Sequence, residues 1–190
     1  MKLFLDSGDL LDTVRTESNK LNAEAAELAS PLNREQLNWK PEPQSWSVAQ
    51  CLDHLAVTIQ SWKPILTTAI SLGRKRWPVA GVVPYRPTII GGWLIKQLLP
   101  ESTRKLPAPK VFRPASSAID QPLERFLAAQ EVFLGFVSEA KGLDYNKTRV
   151  RSPVTPLLRY SLADSFVVNV VHGQRHLAQA RRVLQHSAFP

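Results

Sequence analysis

The sequence predicts an all-α fold, an antiparallel four-helix bundle in which a long, Pro-rich and basic connection joins the second and third helices. Four stretches of about 20 residues repeat apolar side chains at intervals of three and four, which covers one face of a helix. No convincing pair of strands is visible between them. A chain of 190 residues has the size of one domain, so residues 1–190 are predicted to form a single bundle.

Acidic and glycine residues mark the limits of the first and third helices. The first is predicted from about Asp9 to Ala29, with its acidic residues at the positive N-terminal end of the helix dipole. The third is predicted from Asp120 to Lys141, with Gly142 as its C-terminal stop. Both are long enough to contribute a full side of the bundle.

Capping boxes mark the starts of the second and fourth helices. In such a box, a serine caps the helix and a polar residue three positions later returns the hydrogen bond. The two pairs are Ser47 with Gln50 and Ser161 with Asp164. We expect the second helix to end near Gly73 and the fourth near Gln185, and we interpret Lys147–Pro156, just before the fourth, as a link.

The long connection, residues 74–116, contains seven prolines, so only Ile89–Leu99 could form a short helix there. The wider segment 61–115 carries ten basic residues and one acidic residue, although the net charge of the chain is only +8. A basic surface of this kind can meet a nucleic acid or a membrane, or it can form a cationic rim for a small anion. A solvated face without any partner is the third interpretation.

Composition excludes several classes of protein. The single cysteine, Cys51, cannot form an internal disulfide, and no run of about 18 apolar residues could span a membrane. The N-terminus becomes acidic at once, unlike a secretion signal. We therefore expect a cytoplasmic protein with no membrane partner. No phosphate-binding loop, dinucleotide fingerprint or serine-hydrolase order of residues is present.

Three histidines are the candidates for chemistry. His172 and His176 are four residues apart on the fourth helix, on a polar but uncharged row beside the apolar stripe. His54 lies at the edge of the apolar seam of the second helix, so the three rings can converge inside a bundle. Such a set suits zinc, nickel or ferrous iron rather than magnesium or calcium, and it leaves coordination positions open. The same histidines could instead only make hydrogen bonds.

Three further residues receive smaller roles. Gln179 lies on the same row of the fourth helix, and it could orient a ligand histidine or merely bond water at the end of the bundle. Asn169 could line the cavity or join two helices by a hydrogen bond. Cys51, one turn before the histidine of the second helix, could be a reactive thiol or an extra ligand, or it could pack under Trp46.

Three segments together carry a resemblance to a known family. They are NWKPEPQSWSVAQCLDHLA (38–56), KLPAPKVFRP (105–114) and HGQRHLAQARRVL (172–184). In this order they are similar to segments of the DinB/YfiT-like family of metalloenzymes. The resemblance implies a four-helix bundle, often dimeric, with His54, His172 and His176 at the ligand positions of a nickel or zinc site. It also implies thiol S-transfer, thiol-dependent isomerisation or metal-dependent hydrolysis as the reaction.

The resulting expectation is a metalloenzyme that acts on a small molecule. One candidate substrate is an anionic low-molecular-weight thiol. Residues 74–113 would then cover the mouth of the site with a cationic rim, which consists of Arg74, Lys75, Arg76, Arg86, Lys96, Arg104, Lys105, Lys110 and Arg113. The alternative is a non-enzymatic, stress-related binding module whose basic segment 61–115 contacts nucleic acid or protein. Salt-dependent binding of arbitrary DNA distinguishes this alternative from the enzyme.

Overall fold

The computed structural model describes residues 2–6, 8–102, 108–155 and 157–190. Within these ranges the chain is mostly helical. The helices are α1 (Lys2–Leu5), α2 (Leu10–Ala29), α3 (Arg34–Asn38), α4 (Val48–Arg76), α5 (Ile89–Leu98), α6 (Pro122–Glu139) and α7 (Leu162–Leu184). A 3-10 turn covers Lys110–Phe112, and two short strands, β1 (Arg149–Arg151) and β2 (Arg159–Ser161), precede α7. No helix in the described ranges combines the length and apolarity that crossing a bilayer requires.

Four of these helices form the bundle, which confirms the predicted fold class. The helix α4 packs against α6 and α7, and α2 packs against the same two helices from the opposite side. The core between them consists of fully buried aliphatic and aromatic side chains, such as Val14, Leu52, Leu66, Phe126, Phe133, Phe166 and Leu177. Burial of these apolar side chains supplies most of the free energy that holds the helices together.

Both predicted capping boxes are formed. The hydroxyl of Ser47 accepts from the amide of Gln50, and the Gln50 side chain accepts from the amide of Ser47. Ser161 and Asp164 make the equivalent pair of bonds at the start of α7. The helix α4 continues past Gly73 to Arg76. Gly73 does not end the helix but allows close packing, since a Cβ atom there would lie 2.5 Å from the hydroxyl oxygen of Thr148.

The third helix begins at Pro122 rather than at Asp120. Proline suits the first position of a helix, since its fixed φ is already helical and its missing amide hydrogen is not needed there. Asp120 instead forms an exposed ion pair with Arg34. At the other end, the helix stops at Glu139, two residues before the predicted end at Lys141, and Gly142 follows three residues after Glu139 with a φ of 81°.

The link predicted for Lys147–Pro156 is in part a β-hairpin, so the expectation of no strand pair was wrong here. Strand β1 pairs antiparallel with β2, and Val150 lies opposite Tyr160. Three-residue strands are too short to show an alternating pattern in the sequence. The hairpin packs against the bundle through Tyr160, whose ring contacts that of Trp62 in α4.

The long connection is folded against α7, and its central part is the short helix α5, as predicted. Asp164, already part of a capping box, accepts hydrogen bonds from the hydroxyl of Tyr85 and from both the amide and the hydroxyl of Thr88. At Gly91 the two helices approach so closely that a Cβ atom would lie 2.2 Å from the carboxylate carbon of Asp164. One buried carboxylate therefore fastens the connection to the bundle.

Gly173 marks a second close approach, between α7 and α2. A Cβ atom there would lie 2.6 Å from Cδ1 of the buried Leu21. We expect Gly173→Ala to lower the free energy of unfolding by about 1–2 kcal/mol, because the cost of overpacking exceeds the gain of about 1 kcal/mol in helix propensity. Urea denaturation measures this change.

The matched control for Gly173→Ala removes the obstructing side chain. In a Leu21→Ala background, the same substitution should stabilise the protein relative to Leu21→Ala alone, since only the helix propensity term remains. An equal loss in both backgrounds would show that contact with Leu21 is not the reason for glycine at this position.

Candidate metal centre

Three imidazoles from two antiparallel helices meet inside the bundle. His54 comes from α4, and His172 and His176 come from α7, as the sequence predicted. One ring nitrogen of each can be chosen so that all three lie within 4.8 Å of one another. The ring centroids are 4.5 to 4.9 Å apart. We call these three residues the histidine triad.

The hydrogen bonds of His54 determine where its proton lies. Its Nδ1 is 2.5 Å from the backbone carbonyl oxygen of Phe112. A carbonyl can only accept, so Nδ1 carries the hydrogen and Nε2 presents a lone pair. This Nε2 lies 3.1 Å from Nε2 of His172. Without a metal ion, His172 can donate the hydrogen on its Nε2 to this lone pair; with its hydrogen on Nδ1 instead, both Nε2 atoms would offer lone pairs to one cation.

His176 is oriented in the same way by a side chain. Its Nδ1 lies 3.0 Å from Oε1 of Gln179, which accepts the hydrogen and leaves Nε2 as a lone pair. On its other side, the ring of Trp46 stacks on His176 with centroids 5.4 Å apart and also contacts His54. Metal-ligating histidines are usually held by such an acceptor on the second nitrogen. The role proposed for Gln179 therefore has a matching contact.

Burial lowers the pKa of every histidine in the triad. The pKa of His176 falls to about 3, mainly through burial and secondly through the neighbouring His54, although the hydrogen bond to Gln179 opposes the shift. The pKa of His172 falls well below its usual value for the same main reason. For His54, burial again lowers the pKa, against the effect of the Phe112 carbonyl. The rings are therefore neutral at pH 7, as a divalent metal ion requires of nitrogen ligands.

Asn169 and Cys51 do not join the triad. The side chain of Asn169 donates to the carbonyl of Ser165 on its own helix, instead of crossing to another helix or reaching an imidazole. Cys51 lies in the hydrophobic core, and burial raises the pKa of its thiol to about 12. A buried and protonated thiol is unreactive, and the structure places neither a nucleophile nor a fourth ligand there.

The triad opens into a cavity of about 910 Å³. Its walls come from α4, α5, α7, the 3-10 turn and the hairpin. The lining is largely aromatic and aliphatic, with Trp46, Trp62, Leu94, Leu98, Phe112, Leu158, Tyr160 and Val168. A space of this size and character is typical of a site for a small organic molecule.

The predicted cationic rim was wrong in its position. Arg74, Lys75 and Arg76 form the last turn of α4, 20 or more residues after His54 and therefore roughly 30 Å away along the helix axis. The other described members of the predicted rim, Arg86, Lys96, Lys110 and Arg113, do not line the cavity, and Arg104 and Lys105 lie outside the described residues. The connection does contribute to the wall of the cavity, but through apolar residues. Among the described residues, the arginines that line the cavity, Arg175 and Arg182, belong instead to α7.

Among the described residues that line the cavity there is no Asp or Glu. Asp53, next to His54 in sequence, faces away from the triad. One of its oxygens lies 2.9 Å from Nη2 of Arg125, and the other accepts from the amide of Ala115.

Replacing Gln179 tests its contact with His176. We expect Gln179→Leu to weaken zinc binding by about 10- to 100-fold, because the second nitrogen of the imidazole loses the acceptor that fixes its tautomer and orientation. Competition with a chromophoric chelator measures the affinity. Gln174→Leu is the matched control, since that side chain lies on the same helix but contacts Glu17 in α2. Equal affinities of the two variants would contradict the orienting role.

Comparisons with known proteins agree with this geometry. A family model described as the DinB superfamily matches residues 19–180. No curated protein matches the chain. Among solved structures, the chain is similar to YfiT from Bacillus subtilis, which is described as "a probable metal-dependent hydrolase with an unusual four-helix bundle topology". The TM-score is 0.62 with 16% sequence identity, over 97% of this chain and 91% of that chain. At this identity the likeness shows the fold.

Proposed function

Since this chain belongs to the DinB superfamily, we propose that it is a metal-dependent hydrolase that holds one divalent ion, zinc, nickel or ferrous iron, and acts on a small molecule. The observation that carries the proposal is the histidine triad at the wall of a cavity large enough for an organic substrate. A structural zinc site would instead be closed by a fourth protein ligand.

The residues of the chain have separable roles in this proposal. His54, His172 and His176 supply the ligand nitrogens, and the Phe112 carbonyl and Gln179 hold two of the rings so that Nε2 faces the others. The bound ion would supply Lewis-acid chemistry, by which it polarises a carbonyl group or lowers the pKa of water. The aromatic walls exclude bulk water and orient the apolar part of the substrate.

One observation favours hydrolysis over thiol transfer. The structurally similar YfiT is described as a probable metal-dependent hydrolase. Transfer to an external low-molecular-weight thiol is the second reaction implied by the resemblance, and it requires a cosubstrate that the assay must contain.

Metal-dependent turnover tests the proposal directly. Untagged protein loaded with zinc or nickel should hydrolyse members of a panel of esters and amides. A chelator should remove the activity, the metal should restore it, and circular dichroism should stay helical throughout because the core is apolar. Turnover that survives chelation would contradict a metal-dependent hydrolase. Conjugation of a thiol without any hydrolysis would assign the site to thiol transfer instead.

A further inference from the structure

We infer that the ligand of this cavity is an amphiphilic carboxylate, whose apolar body lies against Trp62 and Tyr160 and whose carboxylate is bound by Arg182. The inference concerns binding by side chains outside the triad. Only the position of the reacting bond, between the two ends of the ligand, rests on the proposed function.

The cavity has two chemically different ends, because α4 and α7 run antiparallel past each other at the triad. Trp62 lies two turns after His54 in α4, and it contacts Tyr160, which precedes α7. That end is therefore on the N-terminal side of His172. Arg182 lies on the C-terminal side of His176, six residues or about 9 Å further along the helix. The triad separates the two ends.

The first end offers an apolar surface. Its lining consists of aromatic and aliphatic side chains, namely the buried Trp62, Tyr160 and Val168 together with Leu158. The nearby hydroxyl of Thr58 donates to the carbonyl of His54, so its hydrogen is not available to a ligand. Contact with aromatic and aliphatic surface favours an alkyl or aryl group there.

The second end offers an unpaired positive charge. Arg182 makes no ion pair with a described acidic residue, whereas its neighbour Arg181 is paired with Glu24 at 2.7 Å on the outside of the bundle. The guanidinium of Arg175, at the same cavity, is already used, because it donates to the carbonyls of Leu99 and Ser102. A cation without a partner beside a cavity attracts an anion.

The shape and charge of Arg182 select a carboxylate. A guanidinium presents parallel N–H donors that match the two oxygens of a carboxylate, which gives both charge compensation and orientation. Since the described lining contains no acidic residue, nothing in it repels the ligand. The backbone positions of Arg182 and His176 are about 9 Å apart along the helix axis, so we infer that several carbon atoms separate the reacting bond from the carboxylate.

Matched acids and alcohols test this inference. Calorimetric titration of the full chain, both metal-free and loaded with zinc, would use straight-chain carboxylates from acetate to octanoate and the primary alcohol of each length. In the metal-free protein we expect each added CH₂ to strengthen binding by up to about fourfold, and octanoate to bind about tenfold more tightly than octanol. Equal affinities for octanoate and octanol, or for acetate and octanoate, would overturn the inference.

Two arginine variants identify the residue that carries the preference. Arg182→Gln should reduce octanoate binding to the level of octanol and leave octanol binding unchanged. Arg181→Gln, the adjacent residue whose guanidinium pairs with Glu24, should behave as wild type. If Arg182→Gln keeps the preference for the acid, the inference is wrong, and this result is independent of whether the protein hydrolyses anything. Hydrolysis without any acid preference would leave the proposed function standing alone.

Discussion

The His172→Ala protein should bind zinc at least about 100-fold more weakly than the wild type. Loss of an orienting partner alone usually costs 10- to 100-fold in metal affinity, so loss of a ligand should cost more. The effect should be large because His172 lies close to both other ligands. Its Nε2 is 3.1 Å from Nε2 of His54, and its ring centroid is 4.6 Å from that of His176. Competition titration against a chelator of known affinity measures it.

His186→Ala is the matched control for this prediction. The fourth histidine of the chain lies at the edge of the same cavity, but its ring contacts Trp39 and it does not belong to the triad. We expect its removal to leave zinc affinity within about twofold of wild type, since it touches neither the ligands nor their acceptors. Similar losses in both variants would mean that zinc binds elsewhere or without specific ligands.

The second large effect concerns stability. Asp164→Ala should lower the free energy of unfolding by about 4 kcal/mol, because four buried or partly buried donors lose their acceptor and each such loss costs about 1–3 kcal/mol before water compensates. The donors are the hydroxyl of Tyr85, the amide and hydroxyl of Thr88 and the amide of Ser161. Urea denaturation of the metal-free protein measures the loss.

Two further variants show whether the network is the cause. Tyr85→Phe removes one of the four bonds and should cost about 1 kcal/mol. Asp12→Ala, an exposed carboxylate paired with Arg15 in α2, should cost less than about 1 kcal/mol. If Asp164→Ala were no more destabilising than Asp12→Ala, the long connection would not be held to α7 by this carboxylate.

Much of the fold was accessible from local patterns in the sequence. Helical periodicity and two capping boxes predicted the bundle helices, because these signals lie within a few residues of each other. The hairpin of β1 and β2 escaped, since its strands are stabilised by contact with Trp62 rather than by their own pattern. The second role of Asp164 escaped for the same reason, because its partners Tyr85 and Thr88 lie more than 70 residues away.

The candidate site was predictable in its side chains but not in its backbone. Spacing on one helix face brought His172, His176 and Gln179 together. The acceptor for His54 is the carbonyl of Phe112, and a backbone carbonyl has no signature in the sequence. Charge was misleading, since Arg74–Arg76 form a run of three adjacent basic residues but lie at the far end of α4. The cavity instead meets Arg182, an arginine that the sequence alone does not distinguish from Arg181.

The metal content of untagged protein, measured after incubation with zinc or nickel and removal of free ions, tests the central claim most directly. The account predicts about one divalent ion per chain for the wild type and for His186→Ala, and almost none for His172→Ala. A wild-type protein that stays empty after incubation with both metals would contradict it.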